Sequence, residues 1–205
     1  MHLLLTDILT CPRCGPESGL ILLADRIVER RVITGLLGCP TCREQYPVRE
    51  GAVYCGGEPG LPGTPQPLAE AAVRLAALTG VAPGNRYALL AGPAAAHAAG
   101  VASLIDGLEV IAVGGADAAL PLVVDTPGVN LLGAGTRLPL ATGSVAGVAL
   151  TGQCADLLLE EGARVLARGG RLLLEPAPPD AEARLGALGM RVVARDATGV
   201  VAAHA

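Results

Sequence analysis

Two cysteine pairs of one form, Cys11-Pro12-Arg13-Cys14 and Cys39-Pro40-Thr41-Cys42, flank residues 15–38 of a 205-residue chain. A two-residue spacer lets both sulfurs of a pair face one metal from a tight turn, and each Pro fixes φ where the chain must turn. Four thiolates complete the tetrahedral shell of zinc. The spacing therefore predicts one structural zinc held by Cys11, Cys14, Cys39 and Cys42. Disulfides or a redox pair are the competing reading, and the doubled spacing favours metal over both. A closed four-thiolate shell leaves no position for an activated water, so no hydrolysis is expected there.

The rest of the chain must build its core without large rings. Hydrophobic residues make up 51% and aromatic residues 1%, with no Phe or Trp, so the core rests on Leu, Val, Ile and Ala. All fifteen basic residues are Arg, which reads as coding bias rather than function. A net charge of −4 excludes a chain that attracts nucleic acid as a whole, while leaving room for a local Arg patch. Met1 to Ile8 has no basic leader and contains Asp7, so no secretory signal is read there. The uncharged run Tyr87 to Ile105 is broken by Pro93 and glycines and carries His97 and Ser103. It reads as strand, turn and helix rather than a membrane span. Zinc-type cysteines without a leader point to the cytoplasm.

The composition divides the chain into a cysteine-rich ribbon (1–55), a Gly/Pro linker (56–67) and an α/β domain (68–205). In the ribbon, Leu20–Ala24 and Arg31–Leu37 read as a hairpin, and Tyr46 to Tyr54 as two extended pieces around a Glu50-Gly51 turn. Leu68–Leu78 has helical spacing, with Glu70 and Arg74 as an i, i+4 pair. Strands are expected at Tyr87–Ala91, Val110–Val113, Val129–Leu132, Val145–Leu150, Arg171–Glu175, Met190–Arg195 and Val200–His204. Helices are expected at Ala94–Ile105, Ala155–Ala167 and Asp180–Leu188. That alternation predicts a doubly wound, mostly parallel sheet. The stretch from Gly114 to Gly128 has no clear pattern.

Two resemblances extend this reading. Leu5-Thr6-Asp7-Ile8-Leu9-Thr10-Cys11-Pro12-Arg13-Cys14, the second cysteine pair, and Tyr46-Pro47-Val48-Arg49-Glu50-Gly51 resemble the small zinc-ribbon family that activates methyltransferases acting on tRNA and translation factors. The resemblance implies a protein partner, bound by laying a strand and an apolar surface against it. Tyr87-Ala88-Leu89-Leu90-Ala91-Gly92-Pro93, Arg137 to Val145, and Val165 to Pro176 with its Gly169-Gly170 turn resemble the class I S-adenosylmethionine (SAM) methyltransferases. This implies a Rossmann-like sheet of that type, with a cofactor cleft near Gly92, Pro93, Gly114 and Leu138.

The departures from that pattern are functional signals. The acid expected two residues before the first glycine of the turn is Leu90. The ribose-binding acid falls on Gly114, the adenine-binding acid on Ala134 and the acid of the fourth strand on Ala146. Two glycines of the loop are replaced by Ala94 and Ala96. Asp117 is the nearby acid that could restore one role. Losing several charged hydrogen bonds, at roughly 1.5–3 kcal/mol each, predicts that SAM is not a cofactor and that there are no catalytic residues in the cleft.

Other residues carry weaker signals. Cys55 reads as a free thiol before a spare ligand, and Cys154 as a buried core residue before an activated thiolate. His97 reads as a helix residue facing a cleft before a base. Arg26, Arg30, Arg31, Arg43 and Arg49 read as a solvated face before an RNA-binding one. Arg164, Arg168 and Arg171 read as partners of a helix C-terminus. The expected role is a non-enzymatic scaffold or activating subunit, with a zinc ribbon fused to a methyltransferase-like domain. Its partner would be a methyltransferase, or its own or a second copy's Rossmann domain in a homodimer. A divergent SAM-dependent methyltransferase and an RNA- or ribosome-associated factor are the alternatives.

Overall fold

Tyr87–Ala91 and Val145–Thr151 are almost wholly apolar and buried, and this places them side by side at the centre of a sheet. The computed structural model describes residues 1–57, 69–114 and 126–205. A 3-10 turn (Leu3–Asp7) leads into β1 (Thr10–Cys11), β2 (Gly15–Gly19), β3 (Ile21–Val28), β4 (Arg31–Gly38), β5 (Gln45–Arg49) and β6 (Ala52–Cys55). Then come α1 (Ala69–Thr79), β7 (Tyr87–Ala91), a 3-10 segment (Gly92–His97), α2 (Ala98–Leu104), β8 (Glu109–Val113) and β9 (Val129–Ala134). The chain closes with β10 (Val145–Thr151), α3 (Cys154–Leu157), α4 (Leu159–Val165), β11 (Leu166–Glu175), α5 (Ala181–Ala187), β12 (Met190–Arg195) and β13 (Val200–His204). Leu68, linker residues 58–67 and Asp117 lie outside the described residues.

β1 and β2 pair with each other, and the remaining eleven strands form one sheet in the order β12-β13-β11-β10-β7-β8-β9-β6-β5-β4-β3. Numbered from β7, the C-terminal part reads 3-2-1-4-5-7-6. This is the doubly wound order with one antiparallel strand, β13, between the fifth and the sixth. The ribbon continues the same sheet: Val53, Tyr54 and Cys55 pair in parallel with Leu132, Gly133 and Ala134.

Alternation along each strand sorts side chains to two faces. Ala88, Leu90, Val110 and Ala112 pack with α1 and α2 on one face. Leu89, Ile111, Leu132 and Leu150 belong to the other face, with Leu5 and Leu9 of the ribbon and Leu159 of α4. The N-terminal segment thus serves as a covering layer on β7–β9, where a doubly wound fold would place a helix. The Tyr87 hydroxyl donates to the Leu4 carbonyl across this contact at 2.8 Å.

A polar seam fastens the two parts. Asn130 is fully buried on β9; its carbonyl accepts the His2 N–H, and its amide donates to Glu109 at 2.8 Å. Arg31 faces Glu109 at 3.8 Å and donates to the Val129 carbonyl.

Several local expectations change in the tertiary context. The helix expected at Ala94–Ile105 opens as a 3-10 segment and becomes α-helical only from Ala98. The helix expected at Ala155–Ala167 breaks at Leu158 and ends at Val165. The hairpin strand runs on to Val28 through a register shift between Ala24 and Ile27, and β2 had no sequence signal. Arg74 reaches Glu175 at 2.7 Å instead of depending on Glu70. Gly56 bridges to Ala134, so the strand pairing extends into the linker.

Replacing Asn130 with Ala leaves the His2 N–H and the Glu109 carboxylate without their buried partner. We expect a loss of about 2–4 kcal/mol in urea unfolding. Full retention of stability would show that the seam does not hold the ribbon in place.

Candidate metal centre and cofactor crevice

The two turns that carry the cysteines face each other. Cys11 closes β1, and Gly15, at φ +103°, turns the chain into β2 just after Cys14. Cys39 follows β4, and the chain re-enters the sheet after Cys42 through Arg43, at φ +63°. The Cys39 N–H donates to the Glu44 carbonyl at 2.9 Å and closes the second turn.

All four sulfurs lie within 4.8 Å of one another. Cys11 and Cys42 are 3.6 Å apart, and Cys14 and Cys39 are 3.8 Å apart. A tetrahedron with metal–sulfur bonds of about 2.3 Å has edges of about 3.8 Å, so this donor set fits a tetrahedral thiophilic cation such as zinc. All six cysteines are free, and sulfurs 3.6 Å apart are too distant for a disulfide.

The protein supplies donors to this cluster. The Cys14 N–H points to Cys11 Sγ at 3.4 Å and the Cys42 N–H to Cys39 Sγ at 3.5 Å. The Cys42 bond is the main reason the Cys39 thiol is lowered to about 6. Cys14 goes the other way, to about 12, chiefly through its bond with Cys42. Hydrogen bonds within the cluster thus push neighbouring thiols in opposite directions. The Tyr46 hydroxyl lies 3.2 Å from Cys11 Sγ. Sequence reasoning placed Tyr46 only in a strand; its signal was an aromatic with a hydroxyl four residues after the last ligand.

Cys55 is buried at the end of β6 and is not one of the four clustered cysteines; burial pushes its thiol up to about 12. Cys154 is buried, and burial raises its thiol too.

In doubly wound sheets a ligand crevice opens at the carboxyl ends of the strands, where the order reverses. Here that point lies between β7 and β10. Gly92 has φ +73°, and a Cβ on it would stand 2.1 Å from the Thr151 carbonyl oxygen. Thr151 Oγ1 accepts the Ala94 N–H at 2.8 Å and donates to the Ala91 carbonyl at 2.8 Å. Ala94 and Ala95 are buried, while Pro93 is exposed. The turn is thus drawn onto the end of β10 by its own hydrogen bonds. Thr151 is a second residue that sequence reasoning missed.

The positions at which the resemblance expects an acid, Leu90, Gly114, Ala134 and Ala146, carry none. Leu90 is fully buried against the α1–α2 layer, so a carboxylate there would need a partner that this layer does not offer. Gly114 follows β8 and Ala146 lies in β10. Ala134 pairs with Cys55 and Gly56, and a Cβ on Gly57 would meet its carbonyl oxygen at 2.6 Å. The ribbon's last residues therefore cover the strand end where the adenine-binding acid was expected. His97 Nδ1 is buried without a hydrogen-bond partner.

Leu138 is buried, and its loop is clamped from α4. Glu161 accepts the Leu138 N–H at 2.8 Å and pairs with Arg164 at 2.8 Å. Arg164 in turn donates to the Leu138 and Leu140 carbonyls. Arg164 lies in the last turn of α4, as expected for a partner of a helix C-terminus, and its guanidinium also holds this loop. A cavity of about 680 Å³ lined by Arg164, Arg168, Leu188 and His204 opens at the amino ends of the parallel strands, away from the crevice.

No family model matches the chain, and no curated protein does. Among solved structures, the crystal structure of the [4+2]-cyclase SpnF is similar to it. That match has a TM-score of 0.46 at 14% identity and covers 66% of this chain. The chain spans 63% of the length of that structure. Among the described residues, no helix is long and apolar enough to cross a membrane.

Two outcomes are expected. Elemental analysis should give one zinc per chain, and Cys39→Ala should lower it to near zero. Purified protein that carries no metal and takes up none would overturn the metal reading. Burial pushes the Glu161 carboxyl up, but Arg164 and the Leu138 N–H outweigh this and hold it below its usual range. Its contribution is therefore present above the unfolded carboxylate range and is lost as pH falls through the folded value. Glu161→Gln should cost roughly 1.5–3 kcal/mol near pH 7, with the difference shrinking as the solution is acidified. An equal gap at all pH values would show that charge is not the reason.

Proposed function

We propose that this chain is a zinc-binding, non-catalytic methyltransferase-like protein that acts as a scaffold or activating subunit of a larger complex. The zinc is structural and fixes the ribbon. The observation that carries the reading is the internal bonding of the described crevice walls. Thr151 ties down the first turn through Ala91 and Ala94, and Gly56 and Gly57 lie on Ala134. A SAM molecule would have to displace backbone contacts at one end and find no acid at Leu90, Gly114 or Ala134 for its charged and hydroxyl groups. Strand order supports the methyltransferase-like part of the reading: it is doubly wound with an antiparallel seventh strand.

The exposed residues favour a protein partner. Of the ribbon arginines, Arg31 is drawn into the seam with Glu109 and Arg49 lies 5.6 Å from the Tyr54 ring centre. This thins the patch that RNA phosphates would need.

Calorimetry with SAM and with its demethylated product tests the proposal. No saturable heat is expected at ligand concentrations up to about 1 mM, the range to which losing these contacts would weaken a micromolar ligand. A low-micromolar dissociation constant would overturn it and make the chain a divergent SAM-dependent methyltransferase. Salt-sensitive retention on RNA would instead favour the RNA-associated reading.

A further inference from the structure

We infer that Tyr46 is a positioning residue of the metal centre, its hydroxyl donating to the Cys11 thiolate and setting how tightly the four cysteines hold their cation. The inference rests on the zinc reading above and adds a fifth side chain to it.

Four thiolates around a divalent cation leave a net charge of −2. An exposed centre passes that charge to water. This one has two faces: Cys14 is exposed, whereas Cys11 and Cys39 are buried. Charge on the buried sulfurs needs protein donors in place of water. Cys39 has the Cys42 N–H. Cys11 has the Cys14 N–H at 3.4 Å and the Tyr46 hydroxyl at 3.2 Å. A metal-bound thiolate carries no proton, so in the loaded protein the phenol is the donor in that contact.

The position of Tyr46 is fixed by the sheet. It lies on β5 opposite Leu37 of β4, between the second cysteine turn and the hairpin, and is buried. A ring there needs only apolar neighbours, and Phe would fill the same space. The hydroxyl is what reaches the sulfur. Partners of metal ligands typically change affinity 10- to 100-fold when removed.

Cobalt(II) alone is the probe, because its thiolate charge-transfer band reports the electron density on the sulfurs. The test compares the full chain, Tyr46→Phe, and Leu37→Val, which trims the packing beside the ring and leaves the hydroxyl in place. The expected result is cobalt affinity at least 10-fold weaker in Tyr46→Phe, with the band shifted to lower energy because an undonated thiolate gives up charge more readily. Leu37→Val should keep the band of the parent chain. A Tyr46→Phe protein that loses cobalt altogether, while Leu37→Val still loads and both keep the parent's circular dichroism, gives the same result in stronger form. Equal affinity and an unshifted band in Tyr46→Phe would overturn the role of Tyr46 while leaving the metal centre standing. A parent chain that takes up no cobalt or zinc would overturn the metal reading and this inference with it. An identical band shift in Leu37→Val would show that packing, not the hydrogen bond, is being read.

Discussion

The parallel pairing of Val53–Cys55 with Leu132–Ala134 is the contact on which the rest of the structure depends. Without it β9 would be an open sheet edge with unpaired backbone groups. The ribbon is equally incomplete alone. It is a small module with little aromatic area, and its cysteine turns converge where no large core holds them. The four-cysteine cluster brings the two turns together, the second turn joins β4 to β5, and β6 completes the sheet. Leu5 and Leu9 then cover the face of β7–β9, and Asn130 and Arg31 bond His2, Glu109 and Val129 across the seam.

This dependence bears on function. A doubly wound sheet offers a ligand crevice at its switch point whatever its sequence, but the fold alone does not supply the chemistry. Here the same chain occupies both walls. Thr151 draws in the first turn, and the residues after Cys55 lie on the end of β9. Positions that the resemblance singled out one by one, Ala94 and Ala134, thus take part in contacts within the chain. Ala134 gains a strand neighbour where an acid would need open space, and Ala94 supplies a backbone N–H to Thr151.

Much of this was legible before the structure. Regular strands such as Tyr87–Ala91 and Val200–His204 follow from short apolar runs between breakers, and the observed bounds agree. The Glu50-Gly51 turn was equally legible, and both residues have positive φ. Helix interiors were less so. Ala94–Ile105 has helical composition throughout, yet its start is held as a 3-10 segment by a hydroxyl from a distant strand. Arg74 shows the same limit: local spacing suggested Glu70 on its own helix, and the fold gave it Glu175.

The sequence by itself determined the identity of the four clustered cysteines, the alternation of strands and helices and the poverty of the SAM-type motifs. Each of these is encoded in spacing over a few residues, where backbone geometry leaves little choice. Only the tertiary structure decided that β6 pairs with β9 in one continuous sheet, that Thr151 bonds the first turn, and that Tyr46 reaches Cys11. Those contacts join residues far apart in the chain, and whether they form depends on which surfaces remain unburied once every local element has taken shape.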